Sequence, residues 1–213
     1  MKDIAIYGAG GFGREVACLI RNINKEKQVW NLIGFFDDGK DISYSTEYGS
    51  VLGGIDELNK FTQPLDIVVA IGNPKTVENV ISSINNPLIG FPNVISPDVT
   101  FLDANNFSME KGNIICSHCW ISCNVHIGSF NTMNVGVTVG HDSIIGNYNS
   151  FMPAVKISGA VCIGDHNFFG VSSCVLQQIK IGQNTIVGAN SLIIRSTKDE
   201  GTYLGNPAVK ITY

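Results

Sequence analysis

The chain has 213 residues, 44% of them apolar and 15% charged, with 14 Lys and Arg against 18 Asp and Glu for a formal net charge of −4. A chain of this length holds one or two domains. The acidic balance and the lack of a long basic run argue against nucleic acid and anionic membrane as partners, and no apolar stretch approaches the roughly 20 residues of a spanning helix.

The start of the chain leads directly into a strand and a glycine loop. That is not a signal-peptide pattern, and it predicts a cytoplasmic protein. Residues 3–7 read as an apolar strand, 8–13 as a glycine run, and 14–24 as a helix with Val16, Ala17, Leu19, Ile20 and Ile23 on one face. Residues 29–36 read as a second strand ending in Asp37 and Asp38, and 41–48 as a mobile polar stretch. A short helix over 55–61, a buried strand over 66–71 and a helix over 74–84 with proline at its start follow. This grammar predicts a small Rossmann-like βαβ domain with a parallel sheet over residues 1–92.

The glycine run Gly8-Ala9-Gly10-Gly11-Phe12-Gly13 fits the G-x-G-x-x-G pattern, with an acid about 24 residues further on. Such a turn aims backbone N–H groups and a helix N-terminus at phosphate. A full dinucleotide-binding domain needs about 150 residues, and its second half has no counterpart here. A nucleotide sugar is therefore expected rather than a redox cofactor, with a glycine turn that binds nothing as the alternative.

Residues 91–106 lead into a second region with a different period. From Met109 to Ile193 every sixth residue is apolar, through Ile121, Val139, Ile157 and Val175. Neither a helix nor an ordinary strand has period six; a stacked parallel β-helix does, each hexapeptide forming one flat face. Two residues before each apolar position the side chain is small, as at Asn113, Cys119, Asn131, Ser143, Asn149 and Asn167, with Ile179 the one large exception. These positions are expected to point inward, where stacked coils leave little room. Glycine recurs just after the apolar position, as at Gly128, Gly140, Gly146 and Gly164, and is expected to supply positive φ or close backbone approach at the corners. Three faces per turn make about five coils. The tail from Ser196 to Tyr213 leaves the period.

Cys116, Cys119 and Cys123 lie near His118 and His126, which raises the question of zinc. The hexapeptide register puts Cys119 inward and the other two on separate turns, so convergence on one tetrahedral ion is not expected. Free thiols and no metal are the reading. Of the four histidines, His141 lies two residues past an inward position and so projects outward at a corner, with Asp142 beside it. Spacing alone would make it an ordinary surface histidine.

The sequence Tyr7-Gly8-Ala9-Gly10-Gly11-Phe12-Gly13-Arg14-Glu15, then Phe36-Asp37-Asp38, Ile71-Gly72-Asn73, Val139-Gly140-His141-Asp142-Ser143-Ile144-Ile145-Gly146 and Gly205-Asn206-Pro207-Ala208, in that order, resembles the sugar acyltransferases of the sialic-acid O-acetyltransferase type, bacterial nucleotide-amino-sugar N-acetyltransferases among them. The resemblance covers essentially the whole chain. It implies a left-handed β-helix over residues 93–213, a homotrimer, acetyl-CoA as co-substrate with no permanently bound cofactor, and a site between neighbouring subunits. It makes His141 the general base, with Asp142 to orient it. It implies that Gly10, Gly11 and Phe12 touch the diphosphate and sugar of a nucleotide-linked amino sugar, with Asp37, Asp38 and Gly72 around the base and ribose. For the acyl donor it implies Gly159 as an N–H donor to the thioester carbonyl, Val171 and Ala189 along the pantetheine, and Pro207 and Ala208 at the adenine. Members often carry a second histidine nine residues after the base; Ser150 stands there, which alters that donor contact. No arrangement suggests a covalent acyl-enzyme, so direct transfer is expected. Three activities follow in order of preference: N-acetylation of a UDP- or dTDP-linked 4-amino-4,6-dideoxy sugar for surface glycans, O-acetylation of a sugar hydroxyl, and a non-catalytic nucleotide-sugar-binding scaffold.

Overall fold

A computed structural model describes residues 1–211. It divides the chain into two compact units, Met1–Pro97 and the remainder from Asp98 onward.

The first unit opens with β1 (Lys2–Tyr7), whose Ile4, Ala5 and Ile6 are fully buried. Helix α1 (Gly11–Glu26) packs Val16, Ala17, Leu19 and Ile20 inward, on the face its spacing predicts. Strand β2 (Trp30–Phe36), strands β3 (Ser45–Thr46) and β4 (Gly49–Gly53), helix α2 (Ile55–Asn59), strand β5 (Leu65–Val69), helix α3 (Pro74–Ser83) and strand β6 (Ile89–Gly90) follow. The sheet order is β3-β4-β2-β1-β5-β6. Strands β2, β1, β5 and β6 run parallel, and β4 joins β2 in the same sense. The polar stretch 41–48 is not a featureless loop: β3 forms an antiparallel ladder with β4, with Ser45 opposite Ser50 and Thr46 opposite Gly49. It was illegible because the strand is two residues long and polar on both faces.

The chain leaves β1 toward β2 on one side and returns to β5 on the other, so the strand order reverses beside the carboxyl end of β1. In open parallel sheets that point is where ligands bind.

The second unit is a parallel β-helix. From Phe107 to Ile193 the paired strands lie 18 residues apart, so three hexapeptides make one coil: Thr132 opposes Ser150, Thr138 opposes Lys156, and Ile144 opposes Cys162. One face holds six strands and another five. The inward apolar column Ile121, Val139, Ile157, Val175 and Ile193 is at most 2% exposed. On a second face Phe151 stacks on Phe169 with centroids 4.7 Å apart. The small inward residues are also buried, and Ile179, at 5% exposure, is accommodated among them.

Two features of the solenoid refine their sequence reading. Positive φ does not fall on the recurrent glycines. It falls one residue before each small inward position, at His118, Asn124, Phe130, Asp142, Tyr148, Ala154 and onward every six residues to Asn190, with glycine only at 112 and 136. The recurrent glycines serve close approach instead: a Cβ on Gly140 would come within 2.5 Å of the Gly159 nitrogen in the next coil. The inward asparagines are also more than small. Asn113, Asn131, Asn149 and Asn167 form a buried ladder in which each side-chain oxygen accepts the backbone N–H of the residue one coil on, at 2.8–2.9 Å, ending on Thr185 N–H at 2.7 Å. In a dry interior such a ladder satisfies backbone groups that no strand can reach.

Candidate active site

Three groups of residues carry the chemistry, one in the first unit and two in the second.

In the first unit, Gly8 at the end of β1 has φ +110°, and a Cβ there would lie 2.8 Å from the Ala70 oxygen, so the turn admits only glycine. Gly13 is equally constrained, since a Cβ would meet the Gly8 oxygen at 1.9 Å. Gly10, Gly11 and Gly72 are different: a Cβ on any of them would meet nothing within 4 Å. Their bareness serves no internal packing, and at Gly10 and Gly11 it leaves open space at the N-terminus of α1. No side chain caps that helix, and its first turn holds no acid. Uncapped N–H groups and the positive end of the helix dipole suit an anion such as a diphosphate. Phe12, half-buried, follows in the first turn.

The acid pair sits at the carboxyl end of β2, with both carboxylates engaged within the domain. Asp37 accepts from Ala9 N–H at 2.7 Å and from Gly39 N–H at 2.8 Å. Asp38 accepts from Ile55 N–H at 2.8 Å and from the Tyr7 hydroxyl. Burial, then the bond to Asp38, pushes the Tyr7 phenol far up, so it stays a donor. Asp37 therefore pins the glycine loop, and Asp38 ties β1 to the start of α2. A cleft of about 420 Å³ lies beside them, lined also by Lys40, Gly54 and Glu57. The part played by Tyr7 was not read from the sequence, where it is simply the last apolar residue of a strand.

In the solenoid, His141 Nδ1 lies 2.7 Å from Asp142 Oδ2. The other Asp142 oxygen accepts from Asn124 Nδ2 at 2.7 Å. Asn124 precedes Asp142 by one coil, so its role was legible in principle once the 18-residue register was known. The Asn124 amide first, and His141 second, hold the Asp142 carboxyl below the usual carboxylate range. An ionised Asp142 fixes the proton of the imidazole on Nδ1 and leaves Nε2 as the free basic atom. That atom sits over Gly159, where a Cβ would lie 2.6 Å from Nε2 and 2.7 Å from Cε1. The imidazole side chain is 61% exposed. Basic nitrogen and the Gly159 backbone thus share one corner, His141 and Gly159 each standing two residues past paired inward Val139 and Ile157. A base beside a close-approach backbone N–H is what attack on a thioester carbonyl requires.

Val171 and Ala189 stack on a different corner, where Asn190 N–H donates to the Val171 oxygen at 2.8 Å. Val171 is 45% exposed. Pro207 and Ala208 belong to the closing hairpin and line a cleft of about 430 Å³ with Ile193, Arg195, Ser196 and Tyr203. Ser150 is not brought to the His141 corner: it is 2% exposed and lies on another face, its N–H bonded to the Asn167 oxygen. Of the other histidines, His118 Nδ1 pairs with Asp98 at 2.8 Å and His126 Nδ1 lies 2.6 Å from the Ser108 hydroxyl. His166 stacks on Tyr148, itself stacked on Phe130. The six cysteines are free, and among the described residues no group of three or more potential ligands could hold a metal ion. Among them, too, no helix is long and apolar enough to cross a membrane.

Residues 3–84 match the family described as the PglD N-terminal domain. No curated protein matches the chain. Among solved structures, WeeI from Acinetobacter baumannii AYE is 27% identical with a TM-score of 0.85, over 99% of this chain and 100% of that one. The acetyltransferase domain of PglB from Neisseria gonorrhoeae FA1090, in complex with acetyl coenzyme A, is 25% identical with a TM-score of 0.88, over 99% of each chain. PerB from Caulobacter crescentus, in complex with CoA and GDP-perosamine, is 23% identical with a TM-score of 0.87, over 100% of this chain and 98% of that one, and at that identity speaks for the fold alone. With a PglD-type sheet domain ahead of a hexapeptide solenoid, and these neighbours along its full length, the chain has the fold of the left-handed β-helix sugar acyltransferases and is similar to them.

Proposed function

We propose that the protein transfers an acetyl group from acetyl-CoA to the amine of a nucleotide-linked 4-amino-4,6-dideoxy sugar, carried on UDP or dTDP, in the synthesis of a surface glycan. The observation that carries this reading is the His141–Asp142 pair seated over Gly159. A protonated sugar amine cannot attack; a neutral one must lose a proton as it bonds to the carbonyl. His141 Nε2 takes that proton, and Asp142, 2.7 Å from Nδ1, stabilises the imidazolium. The Gly159 N–H faces the carbonyl oxygen as negative charge develops there. The thiolate of CoA leaves and recovers a proton, so no acyl-enzyme is needed.

The open glycines of the first unit support a diphosphate-bearing acceptor, and the acetyl-CoA complex of the PglB domain supports the donor. Gly10, Gly11, Phe12 and Gly72 contact the acceptor. Asp37 and Asp38 act on it chiefly by holding the loops around its base and ribose. Val171 and Ala189 line the pantetheine, and Pro207 and Ala208 border the adenine. Because Val171 and Ala189 occupy another corner than His141, a complete donor channel calls for a second copy of the chain, and a homotrimer supplies it. Ser150, buried on its own face, replaces the second histidine and so alters that donor contact.

The test is CoA release against a panel of UDP-, dTDP- and GDP-linked amino sugars. Turnover with one of them, and a fall in kcat of about 10²–10⁴-fold in His141→Ala with CoA affinity kept, is the expected result. Transfer only to sugars lacking the amine would point to O-acetylation, and none at all to a binding scaffold. A fully active monomer in light scattering would refute the shared channel.

A further inference from the structure

The corner of Val171 and Ala189 is a ladder of backbone bonds. Asn190 N–H donates to the Val171 oxygen at 2.8 Å, Ser172 to Pro153 at 2.9 Å, Ala154 to Val135 at 2.9 Å and Gly136 to Ser117 at 3.0 Å. The ladder ends on a side chain, where His118 N–H donates to Asp98 Oδ2 at 3.1 Å. The same oxygen lies 2.8 Å from His118 Nδ1. Asp98 therefore closes the ladder and fixes the ring at once. With Nδ1 bound to the carboxylate, Nε2 is the ring atom left for a ligand. It has no partner among the described residues, and the side chain is 77% exposed.

In a donor channel shared between copies, this corner belongs to the copy that faces His141. Gly136 leads into the strand of Val139, which His141 follows, and His118 leads into the strand of Ile121, one coil earlier. In a trimer whose axis runs along the solenoids, equal coils stand side by side. The partner's Gly136 then faces His141, and the partner's His118 stands about 5 Å nearer the amino end of the solenoid. Gly136 has φ +70°, yet Ala154 and Ser172 hold φ 60° and 57° at the same place in the next two coils, so conformation does not demand glycine there. A Cβ on it would meet only the Ala154 Cα, at 4.0 Å. Gly136 thus leaves a gap opposite the base, with His118 at its edge. Gly159, Val171 and Ala189 lie beyond His141 in the other direction, where the donor runs. The amino side is left to the acceptor. In a 4-amino-4,6-dideoxy sugar the polar neighbour of the amine is the 3-hydroxyl, since the carbon on the other side carries the methyl group.

We infer that His118 is a specificity-determining residue for the acceptor, supplied across the channel by the partner subunit. With its proton on Nδ1 toward Asp98, its Nε2 accepts a hydrogen bond from the 3-hydroxyl and holds the neighbouring amine at His141. This rests on the acetyltransferase reading and its shared channel.

The test is steady-state kinetics on the full chain, with the nucleotide amino sugar that turns over in the CoA-release panel and with its 3-deoxy analogue. His118→Ala should raise the KM for the amino sugar about tenfold, the change falling on that KM rather than on kcat or on the KM for acetyl-CoA. His118→Gln, which keeps an acceptor atom near the place of Nε2, should recover part of the loss. Wild type should lose about as much on the 3-deoxy sugar, and His118→Ala should lose nothing further there. Alanine already holds left-handed backbone at 154 and 160, so the variant keeps the fold. Trimers assembled from equal parts of His118→Ala and His141→Ala chains locate the contact. About a quarter of their sites join an intact His141 to an intact His118 of the partner subunit, so at low acceptor concentration their rate should exceed the mean of the two parents. A rate equal to that mean would overturn the inference, as would an unchanged KM for the amino sugar or an equal rise in both KM values. Each of those results leaves the acetyltransferase reading standing. A panel in which no amino sugar turns over would instead overturn that reading, and this inference with it.

Discussion

Gly159→Ala tests the geometry of the site more sharply than removal of the base. The new Cβ would meet the His141 ring at 2.6 Å from Nε2 and 2.7 Å from Cε1, where ordinary contact begins at 3.4 Å. The ring must therefore retreat by about 0.8 Å, while its Nδ1 is tied to Asp142 at 2.7 Å. A reacting group misplaced by about 1 Å can cost roughly 10²-fold in rate, and a fall of that order in kcat is expected. Stability should change by no more than about 0.5 kcal/mol, because φ at 159 is not positive and the contact lies at an outer corner rather than in the core. The assay is CoA release under saturating donor and acceptor, with a thermal scan beside it. A variant with the wild-type kcat would refute the claim that the imidazole works from its seat over Gly159. A variant that fails to fold would refute the placement of that contact outside the core.

Other outcomes follow from the same contacts. Gly13→Ala forces a Cβ to 1.9 Å from the Gly8 oxygen and should destabilise the first unit by roughly 2–4 kcal/mol in urea denaturation. Asn149→Ala removes the acceptor for buried Asn167 N–H, while Asn131 Oδ1 keeps the backbone N–H of residue 149; with one group stranded, a loss of about 1–3 kcal/mol is expected in denaturant unfolding. Asp142→Asn should lower kcat by less than His141→Ala does, since the imidazole remains. Because the folded-state carboxyl of Asp142 is held low, its contribution to stability is present above the usual carboxylate range and is lost as pH falls through the lowered value. The difference in thermal midpoint between wild type and Asp142→Asn should accordingly stay level near neutral pH and shrink only in acid; a difference that shrinks between pH 8 and 6 would contradict this.

The solenoid was legible because its core is periodic: Ile121, Val139 and Ile157 recur at six, and burial follows the same count. The β1–α1–β2 unit was legible from its glycines and from the apolar face of α1. What escaped has a common cause. A hydrogen bond between residues 18 apart leaves little trace in a six-residue pattern, so the Asn113–Asn167 ladder read as a run of small residues, and Asn124 did not attract notice beside Asp142. The left-handed corners escaped because glycine is the residue expected there. Here the stacked coils hold Asn124, Asp142 and Ala154 in that conformation, leaving the glycines to make room for the neighbouring backbone. The family resemblance puts Asp37 and Asp38 around the base and ribose of the nucleotide. Their bonds to Ala9 N–H and Tyr7 depend on tertiary contacts that spacing does not reveal.

A stack of identical coils has no intrinsic end. Its last strand presents unpaired N–H and C=O groups in a register that another copy could continue, which invites fibre growth. Here Thr202–Gly205 adds to Ile186–Val187 in parallel, and the chain then reverses, so that Ala208–Ile211 pairs with it antiparallel. An incoming coil of the 18-residue kind would have to extend an edge running in the wrong direction. The hairpin that carries Pro207 and Ala208 thus also acts as a stop codon written in backbone direction. The segment that bounds the cleft beside Ile193 closes this face of the solenoid, so its substitution would open one strand edge to pairing with another copy.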